Sequence, residues 1–300
     1  MMKILRADSM GWCFGVRDAV ALVERRARVQ PVTVLGELVH NDAVNAALAA
    51  QGVRLTRRVE EIATDTVIIT AHGASEATRA RARQQAGTVL EATCPLVRAA
   101  HQAVRDLVAA GFHPVIVGQR GHVEVRGLTE DLAHCDVILT ADDVAALTPR
   151  PKFGIAAQTT QPLERVRELV ELIRRRFPQA EVRWVDTVCR PTKLRQAAAV
   201  ALARRCDVVV VVGGFSSNNT NELARTSARF GARVVRIETA AELDPRWFDG
   251  AALVGLTAGT STPDAVIEEV DCWLQDLAAE RNAEPTAEPV GVRSKPGRSG

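Results

Sequence analysis

Short β-branched and aliphatic runs alternate with longer stretches of helical period along most of the chain. The runs VTVLG, TVIITAHG, TVLEATC, HPVIVGQ, DVILT, FGIAAQTT, EVRWVDTVC, DVVVVVGG, RVVRIET and AALVGLTAG read as strands. Between them the spacing of apolar positions predicts helices over 18–28, 96–110, 163–176, 192–204, 221–230 and 263–279. This is the βαβ rhythm of parallel sheets, so the expected class is α/β.

Three cysteines stand at matching points of that rhythm. Cys13, Cys94 and Cys189 lie 81 and 95 residues apart, each where a strand-like run gives way to a helical pattern. Each has a β-branched residue three positions on (Val16, Val97, Thr192) and a base four positions on (Arg17, Arg98, Lys193). A thiol at a helix start feels free N–H groups and the positive end of the helix dipole, which favours the thiolate and makes it a metal ligand.

Cutting the chain near these cysteines gives modules 1–94, 95–188 and 189–279, each of ordinary size for a small α/β domain. Three similar modules with mainly parallel sheets, in a pseudo-threefold trefoil, would bring the cysteines together. LAHCDVILT and ARRCDVVVVV share a Cys-Asp-Val start to a strand, at 135 and 206, and read as a near-repeat. The segment 280–300 has little apolar content and is expected to be a disordered tail.

Composition narrows the partners. The chain has 300 residues, 47% hydrophobic and 25% charged, enough for several buried cores. A net charge of +2 and 4% aromatic residues offer no footprint for nucleic acid. Six dispersed cysteines suit a reducing compartment rather than a disulfide scaffold, and neither a signal peptide nor a run long enough to span a bilayer is visible. A cytoplasmic protein without a membrane partner is expected.

Ligands of parallel sheets bind beyond the carboxyl ends of the strands. His40, His72 and His122 all stand there, and Glu124 follows His122 in a glycine-flanked loop. Ser217, Asn218 and Asn219 open a helix after a Gly-Gly turn, and Ser261 follows another strand, both arrangements that suit a phosphate. Thr159 ends a further strand. Cys135, Cys206 and Cys272 are expected to be small buried hydrophobes, and His101, His113 and His134 to be structural.

Three cysteines without a CxxC pair argue against structural zinc. An iron–sulfur cluster can take thiolates distant in sequence, and with only three supplied, one iron keeps an open position. A non-catalytic iron–sulfur sensor and a zinc hydrolase remain as alternatives on the residues alone.

The segments GWCFGV, LVHN, TAHG, EATCPLV, GHVEV, QTT, VC..T..RQ, SSNNTNEL and TAGTSTPD, in this order over about residues 10–270, resemble the 4-hydroxy-3-methylbut-2-enyl diphosphate reductase family. These iron–sulfur oxidoreductases end the non-mevalonate isoprenoid route. The resemblance implies one [4Fe-4S] cluster held by Cys13, Cys94 and Cys189, at the centre of the trefoil. It implies a diphosphate held by His40, His72, His122, Ser217, Asn218, Asn219 and Ser261. Glu124 would be the proton donor, Thr159 would position the allylic alcohol, and a ferredoxin or flavodoxin would supply electrons.

Overall fold

The computed structural model describes residues 1–283. From the N-terminus, β1 (Lys3–Arg6) leads through Cys13 into α1 (Phe14–Ala27). Then come β2 (Val32–Leu35), α2 (Asp42–Ala50), β3 (Arg54–Thr56), β4 (Thr66–Ile69), α3 (Glu76–Gln85) and β5 (Thr88–Glu91). Cys94 opens α4 (Pro95–Ala109), followed by β6 (His113–Val117), α5 (Val123–Thr129), β7 (Asp136–Ile138), α6 (Ala141–Ala146), β8 (Lys152–Ala157), α7 (Leu163–Arg176) and β9 (Glu181–Trp184). Cys189 opens α8 (Arg190–Ala203), and β10 (Val208–Val212), α9 (Asn218–Arg229), β11 (Arg233–Ile237), β12 (Leu253–Ala258) and α10 (Asp264–Ala283) complete the chain.

The strands form three parallel four-stranded sheets, ordered β3-β2-β4-β5, β7-β6-β8-β9 and β11-β10-β12-β1. This is the expected three-module α/β architecture, with one rearrangement. β1 lies in the stretch assigned to the first module, yet it pairs Lys3–Arg6 with Leu253–Leu256 and completes the third sheet. The N-terminal strand therefore supplies to the last module what β5 and β9 supply to the others. Its four residues pair on one side only and are exposed at both ends, so they leave little hydrophobic pattern to read.

Parallel strands covered on both faces must be apolar throughout. Val208–Val212 meets that requirement, with every valine fully buried, and α8 and α9 cover one face while α10 covers the other. At roughly 1.5–3 kcal/mol for each buried aliphatic side chain, such strands dominate the stability of their modules. α3 escaped the sequence pattern because only Arg79 and Ala82 on it are buried, which makes no apolar stripe.

The Cys-Asp-Val near-repeat proves misleading. Asp136–Ile138 is the outer edge of its sheet, whereas Val208–Val212 is central in its own. Residues 280–283, expected to be tail, continue α10, whose Leu274, Leu277 and Ala278 pack on the third core. The remainder of that segment, 284–300, lies outside the described residues. Of the three cysteines set aside as buried, Cys206 is buried, Cys135 is half-buried and Cys272 is exposed on α10.

Each cysteine helix packs on the sheet that follows it. α1 covers the β2 sheet through Val16, Val20 and Val23, α4 covers the β6 sheet through Ala100 and Val104, and α8 covers the β10 sheet through Ala199 and Leu202. Close approach of α4 is possible because β8 carries Gly154 at its face. A Cβ there would stand 2.8 Å from the Phe112 Cβ and 3.0 Å from the Leu107 Cβ. Gly154→Ala should therefore destabilise the protein by about 1–3 kcal/mol through overpacking, read as a lower urea midpoint with an unchanged m-value.

Candidate functional site

The three modules present equivalent positions to a common centre. Cys13, Cys94 and Cys189 are the N-cap residues of α1, α4 and α8, and none uses its side chain to cap the helix. Each cysteine N–H instead donates across to the neighbouring strand's loop: Cys13 to the Thr260 carbonyl at 3.2 Å, Cys94 to Ala71 at 3.1 Å and Cys189 to Thr159 at 3.0 Å. Each accepting residue lies two positions beyond its strand, β12, β4 or β8. The three thiols are thus aimed by one backbone device used three times.

A second equivalence supplies the polar groups. His40, His122 and Ser217 each lie five residues beyond the second strand in the order of their sheet, β2, β6 and β10, and each of those strands is followed directly by a glycine (Gly36, Gly118, Gly213). All twelve candidate residues meet around one cavity of about 90 Å³, together with Val16, Val97 and Thr192. The repeated β-branched residue three positions after each cysteine thus faces the chamber. The base at the fourth position faces outward, fully for Arg17 and Arg98 and in part for Lys193.

Glycine permits the closest approach. A Cβ on Gly15 would stand 2.5 Å from the Cys94 sulfur, so the Cys13 and Cys94 turns come together only because Gly15 has no side chain. Arg195 closes the third side. It is buried on α8 and donates to the Gly11 carbonyl at 2.6 Å and to Pro191 at 3.1 Å, tying the Cys13 loop to the Cys189 helix.

Burial outweighs the helix N-terminus at two of the thiols. It raises the Cys94 pKa despite hydrogen bonds from the Leu96 and Val97 amides. Cys189 is pushed up to about 11, although the Thr192 hydroxyl and amide both favour its thiolate. The thiolate expected at these two helix starts is thus opposed by burial, and a metal bound there would displace the proton. Among the described residues no three His, Cys, Asp or Glu side chains are grouped tightly enough for a single metal ion. Three sulfurs framing a cavity suit a polynuclear cluster instead.

The histidines stack directly, His40 on His72 with ring centroids 4.2 Å apart and His40 against His122 at 4.9 Å. Burial holds His72 well below the ordinary imidazole range, and burial followed by the neighbouring His40 lowers His122 to about 3. His40 Nε2, His72 Nδ1, His122 Nε2 and Asn219 Nδ2 are buried without a protein partner. Buried polar atoms are normally satisfied, so these four mark where a polar ligand belongs. The Asn219 Oδ1 accepts the Thr260 N–H at 3.0 Å, which leaves its amide nitrogen free to donate into the chamber.

Other candidates have structural duties as well. Asn218 donates its amide to the Thr160 hydroxyl at 3.0 Å, joining the third module to the second. Ser217 caps α9 by accepting the Thr220 N–H, and Ser261 donates to the His40 carbonyl at 2.9 Å.

Glu124 does not lie in a loop: it sits in the first turn of α5, next to its N-cap His122. Its side chain is fully buried, with Oε1 accepting the Thr159 N–H at 2.6 Å and Oε2 lying 3.1 Å from the Thr159 hydroxyl. Burial raises its pKa to about 7 against both of those hydrogen bonds. Such a carboxyl exchanges a proton readily at neutral pH.

Glu37 has no place among the sequence motifs, and Arg195 appears there only as part of VC..T..RQ, with no role attached. Glu37 stands behind His40, with its Oε2 3.3 Å from Nδ1, and also pairs with Arg57. Its position before the Val-His-Asn segment offered no periodic signal. Thr192 was visible as the odd hydroxyl among three β-branched residues, and it lies 3.1 Å from the Cys189 sulfur.

The sequence profile of the LytB protein family matches residues 4–275. A 4-hydroxy-3-methylbut-2-enyl diphosphate reductase from Geobacter metallireducens is 38% identical over 272 residues, covering 90% of this chain and 95% of the relative. One from Aquifex aeolicus is 37% identical, covering 92% and 97%. The solved Plasmodium falciparum E-1-hydroxy-2-methyl-but-2-enyl-4-diphosphate reductase superposes with a TM-score of 0.85 at 27% identity, covering 90% of this chain and 87% of that one. A second solved reductase, described as the terminal enzyme of the non-mevalonate pathway, gives 0.66 at 37% identity, covering 92% and 100%. With Cys13, Cys94, Cys189, three histidines and Glu124 gathered in one chamber and a match spanning nearly its whole described length, the chain belongs to the LytB family.

Proposed function

We propose that this protein reductively dehydroxylates (E)-4-hydroxy-3-methylbut-2-enyl diphosphate to isopentenyl and dimethylallyl diphosphate, the last step of the non-mevalonate route. The observation that carries the reading is the meeting of three thiols, orphaned polar donors and a buried carboxyl poised near neutrality in one chamber of a LytB-family chain. Cys13, Cys94 and Cys189 would hold one [4Fe-4S] cluster. Bound there, it supplies single electrons at low potential and, at the iron without a protein thiolate, a Lewis acid for the substrate hydroxyl.

The chain's own residues do the rest. His122, Asn219 and Ser217 donate to the diphosphate, so its negative charge is met by directed N–H and O–H groups rather than by net positive charge. Thr159 holds the allylic alcohol, and its hydroxyl lies between that oxygen and Glu124. When Glu124 is protonated on Oε2, it donates to the Thr159 hydroxyl, whose own proton is released toward the leaving oxygen. The overall conversion consumes two electrons and two protons: the C–O bond breaks, the hydroxyl departs as water, and a C–H bond forms on the allyl carbon skeleton. Electrons come from a ferredoxin or flavodoxin type donor in the cytoplasm. No helix of the described residues is long and apolar enough to cross a membrane.

A non-catalytic iron–sulfur sensor has no use for a carboxyl so buried and so close to a proton relay. Glu124→Gln should keep the cluster and the fold but lower kcat by about 10²–10⁴-fold, measured with the allylic diphosphate and a chemical reductant under anaerobic conditions. Full activity would remove Glu124 from the acid role. Because the protonated carboxyl is the active form and its pKa is raised to about 7, kcat should decline as pH rises through that value, and the decline should vanish from the residual rate of the Gln variant. Cys13→Ser, Cys94→Ser and Cys189→Ser should each lose bound iron and sulfide together with turnover, and Cys272→Ser should lose neither. Zinc in place of iron on metal analysis would point to a hydrolase instead.

A further inference from the structure

The three imidazoles of the chamber have different hydrogen-bond surroundings. His122 Nδ1 accepts the Glu124 N–H at 3.1 Å, so a neutral His122 carries its proton on Nε2, which is buried and without a partner. It can donate to an anionic ligand as it stands. His40 is reversed. Its Nδ1 lies 3.3 Å from Glu37 Oε2 and must carry a proton there, since a bare nitrogen would face carboxylate lone pairs. A neutral His40 then presents a bare Nε2 lone pair to the chamber, and a phosphate oxygen would be repelled by it.

We propose that His40 takes up one proton as the diphosphate binds, and that Glu37 is the positioning carboxylate that steadies the resulting imidazolium from the opposite side of the ring. This rests on the diphosphate reading of the site. The groups facing His40 agree with a proton that arrives only with an anion. Arg57 after β3 disfavours a charge on it, whereas Glu37 and Asp42 at the start of α2 favour one; His72 from the loop after β4 and His122 from the start of α5 pack against the ring as neutral imidazoles and supply no counter-charge. Burial, the largest influence, keeps the free ring below its ordinary pKa. Burial also opposes the charge on Glu37, but its hydrogen bonds with Arg57 and His40 hold that carboxyl below its ordinary value. A carboxylate is therefore in place before the ligand arrives. Binding of the diphosphate raises the His40 pKa, so affinity should increase as pH falls.

The test is isothermal titration of the cluster-loaded protein with inorganic pyrophosphate, in buffers of different ionisation heat. The wild type should take up about one proton more than His40→Gln, whose amide replaces the ring donor without titrating. Glu37→Gln should lose most of that difference and bind pyrophosphate about tenfold more weakly, as expected when a charge-assisted bond is lost. It should also flatten the gain in affinity on lowering pH. Equal proton uptake by wild type and His40→Gln would overturn the proposal while leaving the diphosphate reading intact. Should His40→Gln fail to fold, Glu37→Gln decides alone, since Glu37 is partly exposed and the change is isosteric: a wild-type uptake and pH slope there would overturn the proposal. A wild-type protein that does not bind pyrophosphate would overturn both.

Discussion

Three backbone hydrogen bonds, from the amides of Cys13, Cys94 and Cys189 to carbonyls two residues past a neighbouring strand, are the joints on which this trefoil depends. Each cysteine is the last residue before a helix that leaves one sheet and packs on the next. The same bond therefore aims a thiol at the centre and sets the angle between two modules. Arg195 and the Asn218–Thr160 bond reinforce these joints from the third module. A metal cluster held by all three thiols would then bind the modules together, so cofactor binding and module geometry are coupled.

The chamber is built by desolvation rather than by charge. Burial lowers the three imidazoles of the site, raises the thiols of Cys94 and Cys189 and raises the Glu124 carboxyl. Every one of these groups is thereby moved toward its neutral form. In a site so prepared, charge enters with the cofactor, the substrate and the protons they bring. Electrostatic interactions gain strength in such surroundings because water does not compete. The orphaned nitrogens of His40, His72, His122 and Asn219 show where that strength is directed.

Much of this arrangement is legible in the sequence because the fold repeats. The interval between cysteines, the β-branched residue three positions on and the strand-to-helix switch all follow from one module used three times. The glycine directly after β2, β6 and β10, with His40, His122 or Ser217 four residues later, was equally visible and ties the histidines to the phosphate-type loop. By contrast, the Cys-Asp-Val similarity at 135 and 206 joins an edge strand to a central one. Local likeness of that kind reports how a strand begins, not where it pairs.

The order of polar and apolar residues by itself determined the α/β class, the strand ends at which chemistry sits and the three thiols that share a setting, because these depend on short-range periodicity and on repetition. Only the tertiary structure decided that β1 closes the third sheet and that Glu37 backs His40. It also decided that burial overrides the helix dipole at Cys94 and Cys189. These features arise between residues far apart in the chain, where pairing geometry and desolvation act and a linear pattern carries no record of either.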